Sequence, residues 1–419
     1  MRILIKEVGL LDGQTGDIFI ENGKIIEISH GITQRADRTI DGRNKIAAPS
    51  LINGHTHAAM TLLRGFADDM PLKPWLEEKI WVLESKLTGE DVYWGTKLAC
   101  LEMIKSGTTV FNDMYWFWED SARAVRDTGI RGILSGVFID MFDPKKAEEQ
   151  IHANVELFRI AGEYKPWVTF ALGPHAVYTV SKESLGWARD FSEETGAFIH
   201  MHLCETEEET RFAQERYGLS PVEFLSEEGV LSERFVGAHG CWLSASDADI
   251  LSRNRANLVN TPVSNLKLSV GQTLPYRLVR DKGIPFCLGT DGCSSNNHLD
   301  MFETMKFASL LAKFNTGDPT FLPARKTFET ACSDAARIFG LGDWEIRKGA
   351  SPDIILLDKK RPEFVPNFDN YSDMVYSVNG YAVDTVICLG RVLMENRRVE
   401  GEEEIMEAAG RAARDLCRR

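Results

Sequence analysis

Eight short apolar runs of the β type alternate with longer stretches of helical periodicity through the middle of the chain, and this alternation constrains the fold most strongly. Strands that alternate with helices are typical of βαβ units, which build a parallel sheet. Eight consecutive units predict a closed barrel rather than an open sheet, and such a barrel uses about 250 residues as one domain. The predicted strands are 46–53, 108–112, 132–139, 167–172, 197–202, 235–238, 257–260 and 285–288.

The stretches between these strands carry the spacing of amphipathic helices. Examples lie at 90–106, 182–195 and 244–254. Together, the strands and helices place the chain in the α/β class, with a (β/α)8 TIM barrel as its centre.

Both ends of the chain carry a different pattern, made of short β-rich runs and tight turns. One hairpin signal is Asn22-Gly23. Because each end is too short to hold a core alone, we expect both to combine into one small composite β-sandwich. The runs are 2–6, 16–21, 24–29, 354–357, 383–389 and 391–394. The predicted domains are 1–48 for the N-terminal part of the sandwich, 49–344 for the barrel, and 345–419 for the C-terminal part with a terminal helix.

Composition excludes several classes of protein. The 419 residues are 43% hydrophobic and 26% charged, which is ordinary for a globular enzyme. A net charge of −14 argues against a nucleic-acid or anionic-membrane surface. No apolar run reaches about 18 residues, and the N-terminus lacks a signal-peptide pattern. The eight cysteines are scattered without a Cys-x-x-Cys pair, so we expect reduced thiols and a cytoplasmic protein.

The first predicted barrel strand leads into a His-x-His pair, His55 and His57. Side chains two residues apart on a strand point to the same face. Two neutral imidazoles held side by side suit a borderline divalent ion such as zinc. The pair alone is weak evidence, and its value depends on whether the other strands end in matching ligands.

Other predicted strands also end in residues that carry chemistry, at the end of the barrel where active sites lie. Each of these residues alone is explained equally well as a core histidine or a helix-capping aspartate. All of them at strand ends indicate a functional constellation. They are His175 after strand four, His202 and Glu205 at strand five, His239 at strand six and Asp291 at strand eight.

Five runs around these positions resemble the amidohydrolase superfamily, in particular its mononuclear branch that deaminates nucleosides and bases. The runs are HTHAAMTLLRG, LGPHAVYT, HLCETEEE, PVSNLKL and LGTDGCSSNN. The similarity covers nearly the whole chain, including the composite sandwich. Within the branch, the runs are most similar to those of deaminases that act on S-adenosylhomocysteine, 5′-methylthioadenosine and 5′-deoxyadenosine.

The resemblance implies a role for each residue at the strand ends. The metal ligands would be His55, His57, His202 and Asp291, the proton-shuttling group Glu205, and the water-orienting group His239. The chemistry of these side chains agrees: three imidazoles and one carboxylate leave zinc open to water, whose pKa can fall from about 15.7 to about 7. Asp291 can then accept a proton from water, while Glu205 protonates purine N1.

The predicted cofactor is one divalent metal per subunit. Zinc is favoured, whereas iron, manganese, cobalt and nickel are compatible with the same ligands. Binuclear relatives carry a carboxylated lysine at the end of strand four, and the stretch 167–175 contains no lysine. The alternative zinc-deaminase signature, His-x-Glu with Pro-Cys-x-x-Cys, is absent from the sequence.

Strand five contains a second His-x-His pair, His200 and His202. We assign the ligand role to His202, because it lies nearer the strand end and precedes Glu205 by three residues. We predict that His200 is a deeper residue of the barrel core.

The segment 71–87 carries Trp75, Ile80 and Leu83 near helical spacing. Such a stripe indicates either plain core packing or a wall over the barrel mouth, and we expect Trp75 to contact the substrate. By resemblance, Glu84 would hold the ribose hydroxyls and His175 would contact the ribose or purine. Glu84 as a solvated helix residue is the alternative.

The stretch after strand three departs from one family pattern. Relatives that favour S-adenosylhomocysteine place arginines there to clamp its carboxylate, which suits the guanidinium fork. The run 135–146 contains no arginine. This predicts a preference for uncharged 5′ groups, unless Lys145 or Lys146 substitutes.

The resemblance implies metal-dependent hydrolytic deamination of adenine nucleosides at C6, which releases ammonia and gives the inosine analogue. The expected substrates are 5′-deoxyadenosine and 5′-methylthioadenosine, with S-adenosylhomocysteine and adenosine as further candidates. A guanine or cytosine deaminase, or a triazine-type aminohydrolase or chlorohydrolase, would share the metal site. An inactive binding scaffold would have lost a ligand or Glu205, and this chain retains them. The expected partner is a small nucleoside in a homo-oligomeric enzyme, without nucleic acid or membrane.

Overall fold

The computed structural model describes residues 1–71 and 74–419, in which sixteen strands form two sheets. In chain order the strands are β1 (Arg2–Gly9), β2 (Thr15–Glu21), β3 (Lys24–Ser29), β4 (Arg38–Asp41), β5 (Lys45–Pro49), β6 (Leu51–Thr56), β7 (Thr108–Met114), β8 (Arg131–Phe138), β9 (Val168–Pro174), β10 (Phe198–Leu203), β11 (Phe235–His239), β12 (Asn257–Asn260), β13 (Phe286–Leu288), β14 (Ile354–Asp358), β15 (Val383–Cys388) and β16 (Arg391–Met394).

The central sheet contains β6 to β13 in sequential order, and every pair of neighbours is parallel. Its two outer strands meet at their C-terminal ends, where the Asp291 N–H donates to the His55 carbonyl over 2.9 Å. The Asn53 side chain also bonds to Thr290 across the same seam. The predicted eight-unit parallel barrel is therefore confirmed.

Helices cover the outside of the barrel and connect its strands. The α-helices are Trp81–Glu84, Gly89–Lys105, Trp118–Thr128, Pro144–Ala161, Lys182–Thr195, Glu207–Tyr217, Pro221–Glu227, Ala245–Arg253, Pro262–Lys267, Tyr276–Asp281, Met301–Thr316, Ala324–Thr330, Ser333–Ile338, Asn370–Ser372 and Glu402–Arg418. Short π-helices lie at Trp75–Ile80 and Asp373–Ser377, and 3₁₀ turns at Ala58–Leu63, Gly162–Tyr164, Pro362–Phe364 and Gly380–Ala382. In the described part of the chain, none of the helices is both long and apolar enough to cross a membrane.

The second sheet joins the two ends of the chain, as expected. Its order is β16-β15-β14-β5-β1-β2-β3, and β4 pairs with β1. The β2–β3 turn has positive φ at Asn22 and Gly23, 52° and 70°, which matches the type I′ hairpin signalled by Asn-Gly. This sheet has an apolar cluster of its own that includes Ile3, Ile18 and Leu356. Both termini therefore contribute to a β-unit beside the barrel.

The predicted strand at 46–53 is wrong as a single element. β5 pairs antiparallel with β14 in the terminal sheet, whereas β6 pairs parallel with β7 in the barrel. Between them, Ser50 accepts a hydrogen bond from the Trp344 indole at 2.8 Å. Both strands are buried on both faces, so their residues form one apolar run that does not show the change of sheet. The polar strand β4 was also not predicted.

Candidate metal centre and substrate pocket

Strand β6 holds His55, and His57 follows it directly. The Nδ1 of His57 bonds the carbonyl oxygen of Met114 at 2.7 Å. On β10, the Nδ1 of His202 bonds the His175 carbonyl at 2.9 Å. Because a carbonyl only accepts, each of these Nδ1 atoms carries a proton, so Nε2 is the ring nitrogen left for a metal. The two Nε2 atoms, of His57 and His202, lie 3.3 Å apart.

Asp291 reaches the same point from the loop after β13. Its Oδ1 lies 3.3 Å from the Nε2 of His55 and 3.2 Å from the Nε2 of His57. Its Oδ2 accepts hydrogen bonds from the hydroxyls of Ser264 and Ser295, at 2.6 and 2.8 Å. The serines thus hold one carboxylate oxygen and leave the other facing the imidazoles.

These donors fit a divalent metal. Ligand atoms about 2.0–2.1 Å from a tetrahedral zinc lie about 3.3 Å from one another, as these atoms do. The Nε2 of His55 is buried and has no hydrogen-bond partner among the described residues, which a metal bond would supply. Candidate metal-holding groups in the described part of the chain are His55 with His57 and Asp291, and His55 with His202 and His239.

Electrostatics favour positive charge at this cluster. Burial lowers the pKa of His55 to about 4 and holds that of His202 well below its usual range, so both rings are neutral donors. Burial also opposes protonation of His57, but hydrogen bonding to Asp291 and its charge outweigh it and raise the pKa to about 9. The same contacts hold the pKa of Asp291 well below normal despite its burial. The carboxylate is therefore ionised beside the imidazoles.

His239 and Glu205 lie next to the metal-ligand cluster. The Nδ1 of His239 is 2.8 Å from Asn265 Oδ1 and 2.9 Å from Thr261 Oγ1, and 3.9 Å from Glu205 Oε1. Burial raises the pKa of Glu205, and the neighbouring His239 partly opposes this shift. A carboxyl group with a raised pKa beside a donor cluster has the properties of a proton donor.

Three turns at this end of the barrel hold non-glycine residues in the left-handed region. The φ angles are 50° for Cys204, 75° for His239 and 65° for Asp291. Such conformations are costly, and they cluster where a functional group must be aimed. At Cys204 the turn is held by the buried carboxylate of Glu209, which accepts from the Cys204 and Glu205 N–H groups at 2.9 and 2.8 Å.

A pocket opens above the cluster, and aromatic and apolar side chains form most of its wall. Trp75 lines this pocket, and its helical neighbours Ile80 and Leu83 are buried in the same apolar cluster. The stripe therefore serves both as core packing and as a pocket wall. The contact of Trp75 with the substrate stays a prediction. The residues that line the pocket are His57, Met60, Trp75, Leu76, Trp81, Glu84, Met114, Tyr115, Trp116, Val137, Ile139, His175, Tyr178, His202, Glu205, His239, Leu268, Asp291 and Ser295.

The two predicted sugar contacts, Glu84 and His175, also face this pocket. Glu84 is half-buried, and burial raises the pKa of its carboxyl group while hydrogen bonds from Tyr115 and Trp116 oppose the shift. The Nδ1 of His175 lies 2.9 Å from the Thr179 hydroxyl. Burial lowers the pKa of His175 to about 3, so the ring is neutral near pH 7.

No arginine or lysine is among the described residues that line the pocket. At the end of β8 the pocket wall is formed by Val137, and just after the strand by Ile139. Lys145 is exposed and forms an ion pair with Glu149 at 3.8 Å, and Lys146 is exposed on the same helix. Leu72 and Lys73, within the segment 71–87, lie outside the described residues.

Several residues of the site were not identified from the sequence. Ser264 and Asn265 lie in the run PVSNLKL, and Ser295 lies in LGTDGCSSNN, so the resemblance marked their position but not their hydrogen bonds. The sequence around Tyr115, Trp116 and Tyr178 carries no pattern that marks them as pocket residues. Aromatic residues of this kind are read from sequence as core, and only the path of the loops brings them over the barrel mouth.

The parallel barrel and the imidazole–carboxylate cluster at its C-terminal end are typical of metal-dependent hydrolases. The sequence model of the amidohydrolase family matches residues 46–393, and the chain belongs to this family.

The chain is also similar over nearly its whole length to individual proteins of known name. The chain is 45% identical over 422 residues to a protein named 5′-deoxyadenosine deaminase from Methanospirillum hungatei JF-1, covering 99% of this chain and 94% of that protein. It is 43% identical to 5-methylthioadenosine/S-adenosylhomocysteine deaminase 1 from Archaeoglobus fulgidus, covering 99% of each. Among solved structures, an adenosine deaminase from Xanthomonas campestris with bound zinc superposes with a TM-score of 0.93 at 28% identity, over 100% of this chain and 99% of that one.

Proposed function

We propose that this protein catalyses the hydrolytic deamination of adenine nucleosides at C6, with 5′-deoxyadenosine and 5′-methylthioadenosine as preferred substrates. S-adenosylhomocysteine and adenosine are slower substrates of the same site. The observation that carries the proposal is the convergence of His55, His57, His202 and Asp291 beneath a pocket that also holds Glu205. The relatives named as deaminases of such nucleosides support it.

The residues that would hold the metal are His55, His57, His202 and Asp291, with one zinc ion per subunit. When bound, zinc supplies a Lewis acid that makes water a nucleophile near neutral pH. A single ion is supported by the absence of any lysine in the stretch 167–175. Iron, manganese, cobalt and nickel would suit the same donors, so the native metal is part of the proposal.

The protein's own groups manage the protons of the reaction. Asp291 is ionised and accepts a proton from the attacking water, which His239 orients toward C6. Glu205, whose pKa is raised by burial, donates a proton to N1 as the water oxygen bonds to C6. The amino group then takes the proton that Asp291 accepted, the C6–N bond breaks and ammonia leaves. The remaining hydroxyl proton at C6 passes to Glu205, which restores both carboxyl groups to their starting states.

The pocket supports a nucleoside with an uncharged 5′ group. Glu84 offers a carboxylate to the ribose hydroxyls, and the neutral ring of His175 offers one further polar contact. Tryptophan side chains, including Trp75, provide flat apolar surface for the base. Acidic side chains line the pocket, and its described lining residues include no lysine or arginine. This charge pattern disfavours binding of the carboxylate of S-adenosylhomocysteine.

Two further expectations belong to this proposal. All eight cysteines are free and seven are buried, which suits a reducing, cytoplasmic compartment. A homo-oligomeric enzyme is the expected assembly.

Ammonia release, with the ultraviolet shift from adenine to hypoxanthine, tests the proposal. The zinc-loaded protein is assayed on 5′-deoxyadenosine, 5′-methylthioadenosine, S-adenosylhomocysteine, adenosine, guanine and cytosine. We expect the highest kcat/KM on the first two, loss of activity after chelation, and recovery when zinc is added back.

Equal kcat/KM on S-adenosylhomocysteine would contradict the preference for an uncharged 5′ group. Activity on guanine or cytosine alone would contradict the assignment of the pocket to a nucleoside, but it would agree with the proposed metal ligands. No activity on any of the six compounds, with zinc bound, would favour the triazine-type alternative.

A further inference from the structure

The second histidine of the pair on β10, His200, lies one step deeper in the barrel than His202. Its side chain is completely buried, and its Nε2 is 2.8 Å from the Nδ1 of His55. On its other side, Nδ1 is 3.3 Å from the hydroxyl of Ser135 on β8. His200 therefore contacts the proposed ligand His55 on the side away from Asp291.

His55 differs from the other two proposed imidazole ligands in this contact. The Nδ1 atoms of His57 and His202 bond to backbone carbonyls, which only accept hydrogen bonds. The Nδ1 of His55 bonds to a side chain, so its proton depends on His200. Of these three rings, His55 is therefore the one whose tautomer a single substitution can change.

The tautomer of His55 decides whether it can bind a metal. With the proton on Nδ1, donated to His200, Nε2 keeps its lone pair toward the metal site. With the proton on Nε2, the ring would instead donate toward Asp291 Oδ1, 3.3 Å away, and could not act as a ligand there. Without an acceptor for Nδ1–H, a buried donor would be left unpaired, and this loss favours the second tautomer.

We propose that His200 is a positioning residue of the metal site, which accepts the Nδ1 proton of His55 and so keeps the Nε2 of His55 available to the metal. The proposal rests on the metal ligands of the proposed function. It assigns no ligand role to His200 itself, and it gives the two imidazoles on β10 different tasks. Groups that orient metal-bound histidines in this way typically contribute about 10- to 100-fold in metal affinity.

Two amide substitutions separate this role from simple packing. In His200→Gln, the amide oxygen can reach the position of Nε2 and accept from His55. In His200→Asn, the shorter side chain places its amide near Nδ1 and Ser135 instead. Met201→Leu is the matched control, because Met201 is buried on the same strand and its side chain points to the opposite face from those of His200 and His202.

The readout is the zinc dissociation constant, measured by competition with a chromophoric chelator, together with the thermal unfolding midpoint of each metal-free protein. We expect His200→Asn to weaken zinc binding about 10- to 100-fold, and His200→Gln and Met201→Leu to stay close to the unchanged protein. The unfolding midpoints of the two amide variants should be similar, because both place one buried amide in the same site.

Equal zinc affinity for the Asn and Gln variants would overturn the proposal, since only one of them restores the acceptor. His200→Leu should weaken zinc binding at least as much as His200→Asn does. If His200→Leu bound zinc as tightly as the unchanged protein, the proposal would also be overturned. Zinc binding is measured without substrate. If the unchanged protein binds zinc but deaminates no nucleoside, only the proposed function is contradicted. Failure of the unchanged protein to bind zinc contradicts both.

Discussion

At the scale of single residues, the neighbours of a side chain decide its chemistry. Two carboxyl groups that line the pocket, those of Asp291 and Glu205, have different surroundings and therefore different tasks. The imidazoles of His55 and His57 keep Asp291 ionised, whereas burial raises the pKa of Glu205. One carboxyl group is therefore set as an ionised metal ligand, and the other as a proton donor.

Replacing the proposed proton donor should greatly lower turnover without loss of the bound zinc. We expect Glu205→Gln to lower kcat on 5′-deoxyadenosine by about 100-fold or more, because an amide cannot protonate N1. Zinc content, measured by atomic absorption, should not change, since Glu205 is not a proposed ligand. Glu208→Gln, an exposed position in the same run, is the control and should retain full kcat. Near-normal turnover of Glu205→Gln would mean that another group donates the proton.

At the scale of elements, the helix Glu402–Arg418 supports the pocket wall from behind. Leu416 is completely buried in a cluster with Trp75, Ile80 and Leu83. Beyond the helix, Arg419 donates to the Lys86 carbonyl at 3.1 Å and to the Asp91 carboxylate at 2.7 Å. The end of the chain thus packs against the π-helix Trp75–Ile80 and the segment that follows it.

Truncating this contact should alter substrate binding from a distance. We expect Leu416→Ala to reduce the free energy of unfolding by about 2–5 kcal/mol, and to raise KM for 5′-deoxyadenosine more than it lowers kcat. The reason is that Trp75 loses support while the metal ligands are not touched. Steady-state kinetics and thermal unfolding measure the two effects. Met406→Ala, exposed on the same helix, should change neither. Lower stability with an unchanged KM would mean that the contact is structural only.

At the scale of the whole molecule, a buried ion pair joins the barrel to the terminal sheet. Arg131, at the start of β8, lies 2.9 Å from the carboxylate of Asp353, which precedes β14. The guanidinium also stacks over the Trp344 ring at 4.8 Å, and that indole bonds to Ser50 between β5 and β6. These contacts meet where the chain passes from the terminal sheet into the barrel.

Removing one partner of this pair should be costly. We expect Asp353→Ala to reduce the free energy of unfolding by about 3–5 kcal/mol, because it leaves Arg131 as an uncompensated buried charge. Asp41→Ala, which removes an exposed partner of Arg43, is the control and should have little effect. Urea denaturation of the three proteins measures the difference. Equal stability of both variants would contradict a role for the buried pair at this junction.

The hydrophobic pattern was sufficient to predict most of the fold. Eight apolar runs separated by helical patterns specify eight βα units, because each parallel strand must be covered by a helix. The predicted helix 182–195 coincides with Lys182–Thr195, which Ser181 caps at its start and Gly196 ends with a φ of 77°. The error at 46–53 arose because the end of β5 and the start of β6 form one nearly continuous apolar run, and periodicity cannot show which sheet an apolar strand joins. The division at 48/49 and 344/345 stays a prediction.

The sequence by itself also determined which residue types stand at the strand ends, and this was sufficient to predict one functional cluster there. The resemblance to the amidohydrolases then implied which of them, His55, His57, His202 and Asp291, are the metal ligands. The reason is geometric: parallel strands in sequential order bring their C-terminal ends together whatever the loops do. Strand-end position also separated His202 from His200.

Only the tertiary structure decided what surrounds these groups. The acceptor of each Nδ1 proton, the serines that hold Asp291, and the aromatic wall formed by Tyr115, Trp116 and Tyr178 come from distant parts of the chain. No local pattern marks them, because a hydrogen bond or a pocket wall depends on where loops and helices cross in space. The amino-acid sequence thus determined the reactive groups of this protein, and the packing of its loops and helices decided their tautomers, their pKa values and the shape of the pocket above them.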